Sequence, residues 1–417
     1  MTRHSIHILL LAGLICTIGC STAKHFSARP KVKPDLAILE KCDSVIAESI
    51  AGHNTPGAVL CIADRDGIIY EKAYGDRMLI PKKEPATTGT VYDLASLSKV
   101  FGTTLAAMQL IEQREIHLND PVRKYLPEFK NWDGEGRKTI TVKDLMTHTS
   151  GLAAYIPVDS LAVAWGEFKP DSLRRYILTE LPRKSEPGTK MKYSCPGFVT
   201  LQYIIEEVTG QRLCDYVQEN VFDALGLENT RYLPLGEPID SAYLSRIAPT
   251  EVLIPHKTAS NQIAPDTRPG TILLGEVHDP LARRFNCGNS GNAGIFSDAE
   301  DLALICRAIL NEGEVDGRRI LKPSTVKKMC KVQDKRIGRA LGWDSKSGYA
   351  WICGDRLVKD HCICHSGYTG TSAVLDLDLG VAIILLTNNA HPFDKGTVGP
   401  ARKAVADIVA EAYGLTE

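Results

Sequence analysis

The sequence predicts an α/β protein of the α+β type. One antiparallel sheet is assembled from both ends of the chain and flanked by helices, with a mostly helical region inserted between the two sets of strands. Three observations lead there. Two short β-type runs, 58–63 and 68–73, flank Asp64-Arg65-Asp66-Gly67 near the start, which is the pattern of a hairpin. β-rich runs return only near the end, at 349–353, 361–365, 371–375 and 381–386. Between them, from about 105 to 290, helical spacing and loops dominate. Strands so far apart share a sheet only if the chain closes on itself, and a cleft is then expected between sheet and insertion.

The composition fits such a domain. Of 417 residues 44% are hydrophobic and 24% charged, enough to bury a large core, and the formal net charge is −1. That balance lacks the basic footprint of a nucleic-acid binder, so no nucleic-acid partner is expected. No internal repeat or low-complexity tract is present.

Taken in order, the chain opens with a short basic region at Arg3, an apolar run over 8–18 and then Gly19-Cys20-Ser21. The run is too short for a comfortable membrane span and has the proportions of a signal peptide. Glycine before Cys20 resembles a bacterial lipoprotein cleavage box, with Thr17 where leucine is more usual. Residues 1–20 are therefore expected to be an export signal, with Cys20 lipidated and residues 21–34 a polar tether. The mature protein would be exported and anchored to a membrane, in the periplasm or at the outer membrane. Cleavage near Ala23 without a lipid is the alternative.

The folded domain is expected over 35–417. Leu36, Leu39, Cys42, Val45, Ile46 and Ile50 recur at helical spacing, and Gly52 can end that helix. The hairpin follows. Further helices are predicted over 198–208 and 213–222. Ser297-Asp298-Ala299-Glu300 reads as a capping box that opens a helix through Leu310, and a last helix occupies about 398–412. Of twelve cysteines, Cys16 and Cys20 belong to the export segment. Cys42, Cys61, Cys214 and Cys306 lie in apolar runs and read as small core residues, although pairing cannot be deduced from sequence.

Three short motifs carry chemistry. Ser96-Leu97-Ser98-Lys99 stands at the head of an apolar, glycine- and alanine-rich helical run. Residues three apart share a helix face, so Ser96 and Lys99 should sit side by side. A serine hydroxyl needs a neighbouring base to become a nucleophile, and a lysine whose pKa is lowered can be that base. The same spacing recurs at Ser21…Lys24 and Ser324…Lys327, beside the export segment and at the start of an ordinary helix. Downstream, Tyr193 stands on a loop just before the helix predicted at Phe198. Its phenol can relay a proton if neighbouring cations favour phenolate. A packed tyrosine with a satisfied hydroxyl is the plainer reading. Finally, His361-Cys362-Ile363-Cys364-His365-Ser366-Gly367 places four soft ligands in five residues. On a strand, His361 and His365 face one side and the two cysteines the other, so no metal and no other cofactor is expected. His365-Ser366-Gly367 should instead end at a cleft edge, where Gly367 admits a substrate close to the backbone.

These motifs, in this order, resemble those of the serine β-lactamase and penicillin-binding-protein superfamily, and most of all its class C-like branch of esterases, D-aminopeptidases and DD-peptidases. The resemblance runs from about Leu36 to the C-terminus. It is supported by the stretches 140–152, 291–297 and His365-Ser366-Gly367-Tyr368-Thr369-Gly370. It implies that Ser96 is the acylated nucleophile, that Lys99 shares its proton, and that Tyr193 is the general base and proton donor. His365 would tune Tyr193 and meet a substrate carboxylate. The backbone N–H groups of Ser96 and Tyr368 would form the oxyanion hole, and Cys195, Ser366 and Gly367 would contact substrate.

Two residues depart from the pattern. Cys195 replaces an asparagine that holds lactam side-chain amides, and His365 replaces a lysine. Both weaken a β-lactamase reading and leave acyl transfer intact. The function expected is hydrolysis of an ester or amide in a small or peptidoglycan-derived substrate. A β-lactamase, or a catalytically weak penicillin-binding protein that senses peptidoglycan, is the alternative. The 157–184 and 243–286 regions, which would shape the pocket, carry no readable signal.

Overall fold

The computed structural model describes residues 32–129, 138–253, 268, 270–394 and 396–415. The export signal, Cys20 and the Ser21…Lys24 pair lie outside the described residues.

Eleven strands are defined among the described residues. In chain order they are β1 (Gly57–Asp64), β2 (Ile68–Met78), β3 (Glu84–Pro85), β4 (Tyr92–Asp93), β5 (Arg231–Tyr232), β6 (Ile295–Ser297), β7 (Glu314–Val315), β8 (Arg318–Arg319), β9 (Cys362–Ser366), β10 (Ser372–Asp376) and β11 (Val381–Thr387). The main sheet has the order β3-β2-β1-β11-β10-β9. The first and last long strands pair antiparallel at its centre, with Val59 opposite Leu386 and Cys61 opposite Ile384. The sheet therefore draws on both chain ends, as the sequence predicts.

Both faces of the sheet are buried, and the period of two sorts its residues between them. Val59, Cys61, Ile363, Ala373 and Ile384 belong to the large core shared with the inserted helices. Leu60, Ile62, Cys362, Cys364 and Val374 pack on the other side. There they meet residues of the terminal helices Lys41–Ala51 and Gly399–Ala412. The predicted opposition of the two cysteines to His365 is thus a consequence of strand alternation, whereas His361, predicted on the same strand, closes the 3-10 turn Lys359–His361 that precedes it. A second, three-stranded sheet, β4-β6-β5, lies inside the helical half and ties the segment before Ser96 to residues 295–297.

Two predicted elements differ. Residues 349–353 form not a strand but a 3-10 turn, Ala350–Cys353. Strand β9 is the last of its sheet, and beyond it only an isolated bridge joins Asp344 to Cys364. With no neighbour offering a ladder, the run closes its own turns and buries Ala350, Ile352 and Cys353. The helix at 299–310 is capped one residue later than predicted. Asp298 is the N-cap and accepts from Asp301 N–H, while Ser297 ends β6 and shares its hydroxyl with Thr230. An aspartate caps as well as a serine, so the two were indistinguishable by type. The cysteines behave as expected of core residues: all ten described are free thiols, and nine of them are buried. Among the described residues no helix is long and apolar enough to cross a membrane.

Candidate active site

The turn Ala95–Leu97 leads into a π-helical stretch, Lys99–Thr104, and then the helix Leu105–Gln113. This geometry puts Lys99 beside Ser96, and Lys99 Nζ donates to Ser96 Oγ at 3.0 Å. The amine is 0% exposed and also donates to the Asn292 carbonyl at 2.8 Å. Burial works against its charge, but Cys195 and Tyr193 favour the ammonium and carry its pKa to about 12.

Ser96 is reached through a strained backbone. Ala95 has φ 47°, a left-handed conformation that non-glycine residues rarely adopt. A buried carboxylate holds it there: Asp93 Oδ1 accepts from Ala95 N–H at 2.8 Å, and Oδ2 from His278 N–H at 2.6 Å. The strand-end turn Gly367–Thr371 braces the same segment from the sheet. Thr369 Oγ1 donates to Asp93 O and Thr371 Oγ1 to Leu94 O, at 2.7 and 2.9 Å. A Cβ at Gly367 would lie 2.4 Å from Leu94 O, so the close approach of these two segments is what requires glycine there. Among the described residues, neither the Ser96 nor the Tyr368 N–H has a protein acceptor.

Tyr193 is positioned from the helical side. It precedes the helix Cys195–Thr209, whose N-cap is Ser194. His148 brackets it: its carbonyl accepts from Lys192 N–H at 2.8 Å, and its Nδ1 accepts from Ser194 N–H at 3.0 Å. The His148 ring lies against the Tyr193 ring, with centroids 4.3 Å apart. Because Nδ1 is an acceptor, the ring proton belongs on Nε2. The phenol interacts with both Lys99 and Ser96. Desolvation raises its pKa to about 12, with Lys99 pulling the other way. The favoured resting state is therefore lysine ammonium with tyrosine phenol, not the phenolate that neighbouring cations alone would favour.

His365 sits on β9 opposite Ala373 and faces the large core, 6.0 Å from the Tyr193 ring. Its Nδ1 lies 3.0 Å from the Ser366 carbonyl and donates to it. Burial first, then the charges of Arg339 and Lys99, hold its pKa well below the ordinary 6.5, so the ring is neutral. His148 is neutral for the same reasons, in the same order. Arg339 cannot serve as a substitute cation for ligand, since its guanidinium is itself buried against Asp344 at 2.5 Å.

The floor opens into a cleft of about 720 Å³ lined by Ser96, Tyr193, Cys195 and Tyr368, with Tyr155 and His278 on its sides. Of the predicted site residues, Lys99, His365, Ser366 and Gly367 are not in its lining. Tyr368 is 64% exposed, stacks on His278 at 5.4 Å and donates its hydroxyl to Asp394 at 2.8 Å. Cys195 interacts with Lys99 and Asn292, and burial pushes its thiol pKa up.

The structure brings Ser96, Lys99, Tyr193 and His365 to one place and leaves Ser324…Lys327 on a separate helix, Pro323–Cys330. Sequence reasoning missed Asp93, His148, His278 and Asn292. His148 and Asn292 fall within stretches already singled out, 140–152 and 291–297, so a signal for them existed. Asp93 and His278 had none.

Comparison with known proteins follows the same lines. The family model described as "Beta-lactamase" matches residues 42–407. An Escherichia coli (strain K12) protein named "Putative D-alanyl-D-alanine carboxypeptidase" is 30% identical, over 94% of this chain and 92% of its own length. The Bacillus subtilis (strain 168) "N-acetylmuramyl-L-alanine amidase" is 31% identical, over 85% and 81%. Among solved structures, "EstCE1, a hydrolase with promiscuous acyltransferase activity" superposes with a TM-score of 0.67 at 24% identity, over 90% of this chain and 99% of that one. At those identities the structural likeness speaks for the fold.

Proposed function

Because the chain belongs to the Beta-lactamase family, it is a serine hydrolase of the β-lactamase and penicillin-binding-protein superfamily, and we propose that it cleaves esters or amides through an acyl-enzyme on Ser96. The observation that carries this is the 3.0 Å contact of Lys99 Nζ with Ser96 Oγ, beneath an open cleft and beside Tyr193.

In the proposed cycle, substrate enters with its carbonyl oxygen against the Ser96 and Tyr368 N–H groups. Ser96 Oγ attacks the carbonyl carbon as its proton passes to the Lys99/Tyr193 pair. The pair returns that proton to the leaving alcohol or amine, and the acyl-serine forms. Water, deprotonated by the same pair, then attacks the acyl carbon. The acid product leaves and Ser96 regains its proton. Two groups so close titrate as a unit. With ammonium and phenol at rest, the pair must first lose one proton to act as a base. The active form therefore gains population as pH rises from neutral, and kcat/KM should climb between pH 7 and 10.

The substrate we propose is a small ester or a peptidoglycan-derived amide, the latter in keeping with the name of the Bacillus subtilis relative. A neutral His365 makes a weak anchor for a carboxylate, which favours substrates without one next to the scissile bond. Export with a lipid on Cys20 would put the enzyme at the cell wall; intact mass of the membrane-extracted protein should show acyl chains there. The deciding experiment is labelling with a fluorophosphonate, followed by a panel of p-nitrophenyl esters, D-amino-acid anilides and a cephalosporin. The adduct should map to Ser96. An adduct on another serine, or a kcat/KM that falls steadily from pH 7 to 10, would count against the proposal.

A further inference from the structure

The turn that carries Tyr368 is gripped from behind the sheet. Arg402, on the C-terminal helix Gly399–Ala412, sends Nη2 to the carbonyls of both Gly367 and Thr371, at 3.0 and 2.9 Å. Those are the first and last residues of the turn, and they are already joined by the Gly367 N–H donating to Thr371 O at 2.7 Å. The guanidinium forms no ion pair with a carboxylate among the described residues. Its Nε is closed off from solvent without a hydrogen-bond partner, and burial pulls its pKa down to about 10. A partly buried cation held by carbonyls, with no carboxylate to balance it, is an unfavourable way merely to fasten a loop.

Covalent geometry gives it a second effect. The Gly367 carbonyl and the Tyr368 N–H belong to one peptide group, and in a trans peptide the two point in opposite directions. Fixing the oxygen, which also accepts from Gly370 N–H at 3.2 Å, toward Arg402 turns the N–H away from it, toward the cleft that Tyr368 lines. A cation on the oxygen also draws electron density from the nitrogen, so the N–H becomes a stronger donor.

We propose that Arg402 is a positioning residue for the oxyanion hole, orienting and polarising the Gly367–Tyr368 peptide from the far side of the sheet. This rests on the reading of the Ser96 and Tyr368 N–H groups as that hole. Arg402 touches no substrate, so its effect belongs to the transition state, where negative charge gathers on the carbonyl oxygen.

The test compares an oxo ester with its thiono analogue, whose sulfur gains little from such donors, in wild type, Arg402→Met, Arg402→Gln and Arg402→Lys. Arg402→Met should lower kcat for the oxo ester at least about tenfold, with little change in KM. It should shrink the oxo-to-thiono ratio of kcat/KM by a similar factor. Arg402→Lys, which keeps a cation, should recover part of both. Should Arg402→Met fail to fold, Arg402→Gln, neutral but still a donor, reads the same ratio. A folded neutral variant with the wild-type ratio overturns the proposal. So does one that loses oxo and thiono turnover equally, because that loss is structural. Wild type with no oxo preference at all would instead remove the oxyanion reading of Ser96 and Tyr368, leaving Arg402 nothing to position.

Discussion

The two walls of the cleft are held in place by different means. On the sheet side, Ser96 and Tyr368 are positioned through main-chain groups: Asp93 grips the Ala95 and His278 N–H groups, and Thr369 and Thr371 donate to the Asp93 and Leu94 carbonyls. On the helical side, Tyr193 is held largely by rings, against His148 at 4.3 Å and Tyr349 at 5.7 Å. The first wall presents peptide N–H groups, which any residue but proline can supply. The second presents a phenol, which only tyrosine can. Damage to the first should act through geometry and strain, and damage to the second through the identity of single side chains.

The sharpest way to break that contrast is at its shared centre. Ser96→Ala should abolish fluorophosphonate labelling and lower turnover by about 10⁴-fold or more. Labelling that persists would show that the nucleophile is another serine. Next in size, Tyr193→Phe should cost about 10²–10⁴ in kcat/KM, the usual range for a general acid–base group. Combined with Ser96→Ala it should lose little more than Ser96→Ala alone, since groups that act as a unit are not additive. A folded Tyr193→Phe with wild-type turnover would reduce the helical wall to packing.

His148 tests whether rings really do the positioning. His148→Leu leaves the Ser194 N–H without its acceptor. An unsatisfied buried donor is worth about 1–3 kcal/mol, or roughly 5- to 150-fold in kcat if the whole effect falls on Tyr193. His148→Asn, which tolerates the left-handed φ of 55° and offers an acceptor, should recover part of it. Equal stability loss in both variants with unchanged kcat would show that His148 only supports the fold.

A smaller effect is expected at Cys195. A thiol is a weak hydrogen-bonding partner for a lactam side-chain amide. The wild type should therefore prefer a p-nitrophenyl ester to a cephalosporin, and Cys195→Asn should move the ratio about tenfold toward the lactam. Efficient cephalosporin hydrolysis with negligible esterase activity would contradict this.

The smallest effect concerns pH and stability. Burial holds His365 well below 6.5 in the fold, so below that pH the unfolded chain binds a proton that the native state refuses. Its contribution to stability is complete above pH 6.5 and is lost as pH falls, by at most about 1.4 kcal/mol one unit lower. Thermal scans of wild type and His365→Gln should diverge in slope between pH 6.5 and 5. Parallel curves would mean that the ring takes up its proton in the folded protein.

The same contrast explains what could be read from the sequence. The central strands were legible because both of their faces are apolar, and Ser96, Lys99 and Tyr193 because each is a particular side chain at a particular spacing. Asp93 and Arg402 were not, because they act on main-chain atoms and leave no pattern in residue types: an aspartate before a nucleophile or an arginine on a last helix is an ordinary surface residue to a reader of sequence. The run at 349–353 misled because its β-type residues say nothing of whether a neighbouring strand exists to pair with. The phenol's pKa was likewise hidden, since it depends on how deeply the ring is buried.

The pairing of β1 with β11 also governs when the enzyme can come into being. Ser96, Lys99 and Tyr193 are all translated well before Tyr368, and the strand that completes the sheet beside β1 follows later still. At about 5–20 residues per second, Ser96 waits on the order of tens of seconds for the peptide N–H proposed to stabilise its oxyanion. On that proposal a nascent chain carries the serine without the hole. On the proposed mechanism, acyl chemistry reaches its full rate only when the last tenth of the protein, Arg402 included, has docked, so that an interrupted or clipped chain would be slowed rather than indiscriminately reactive.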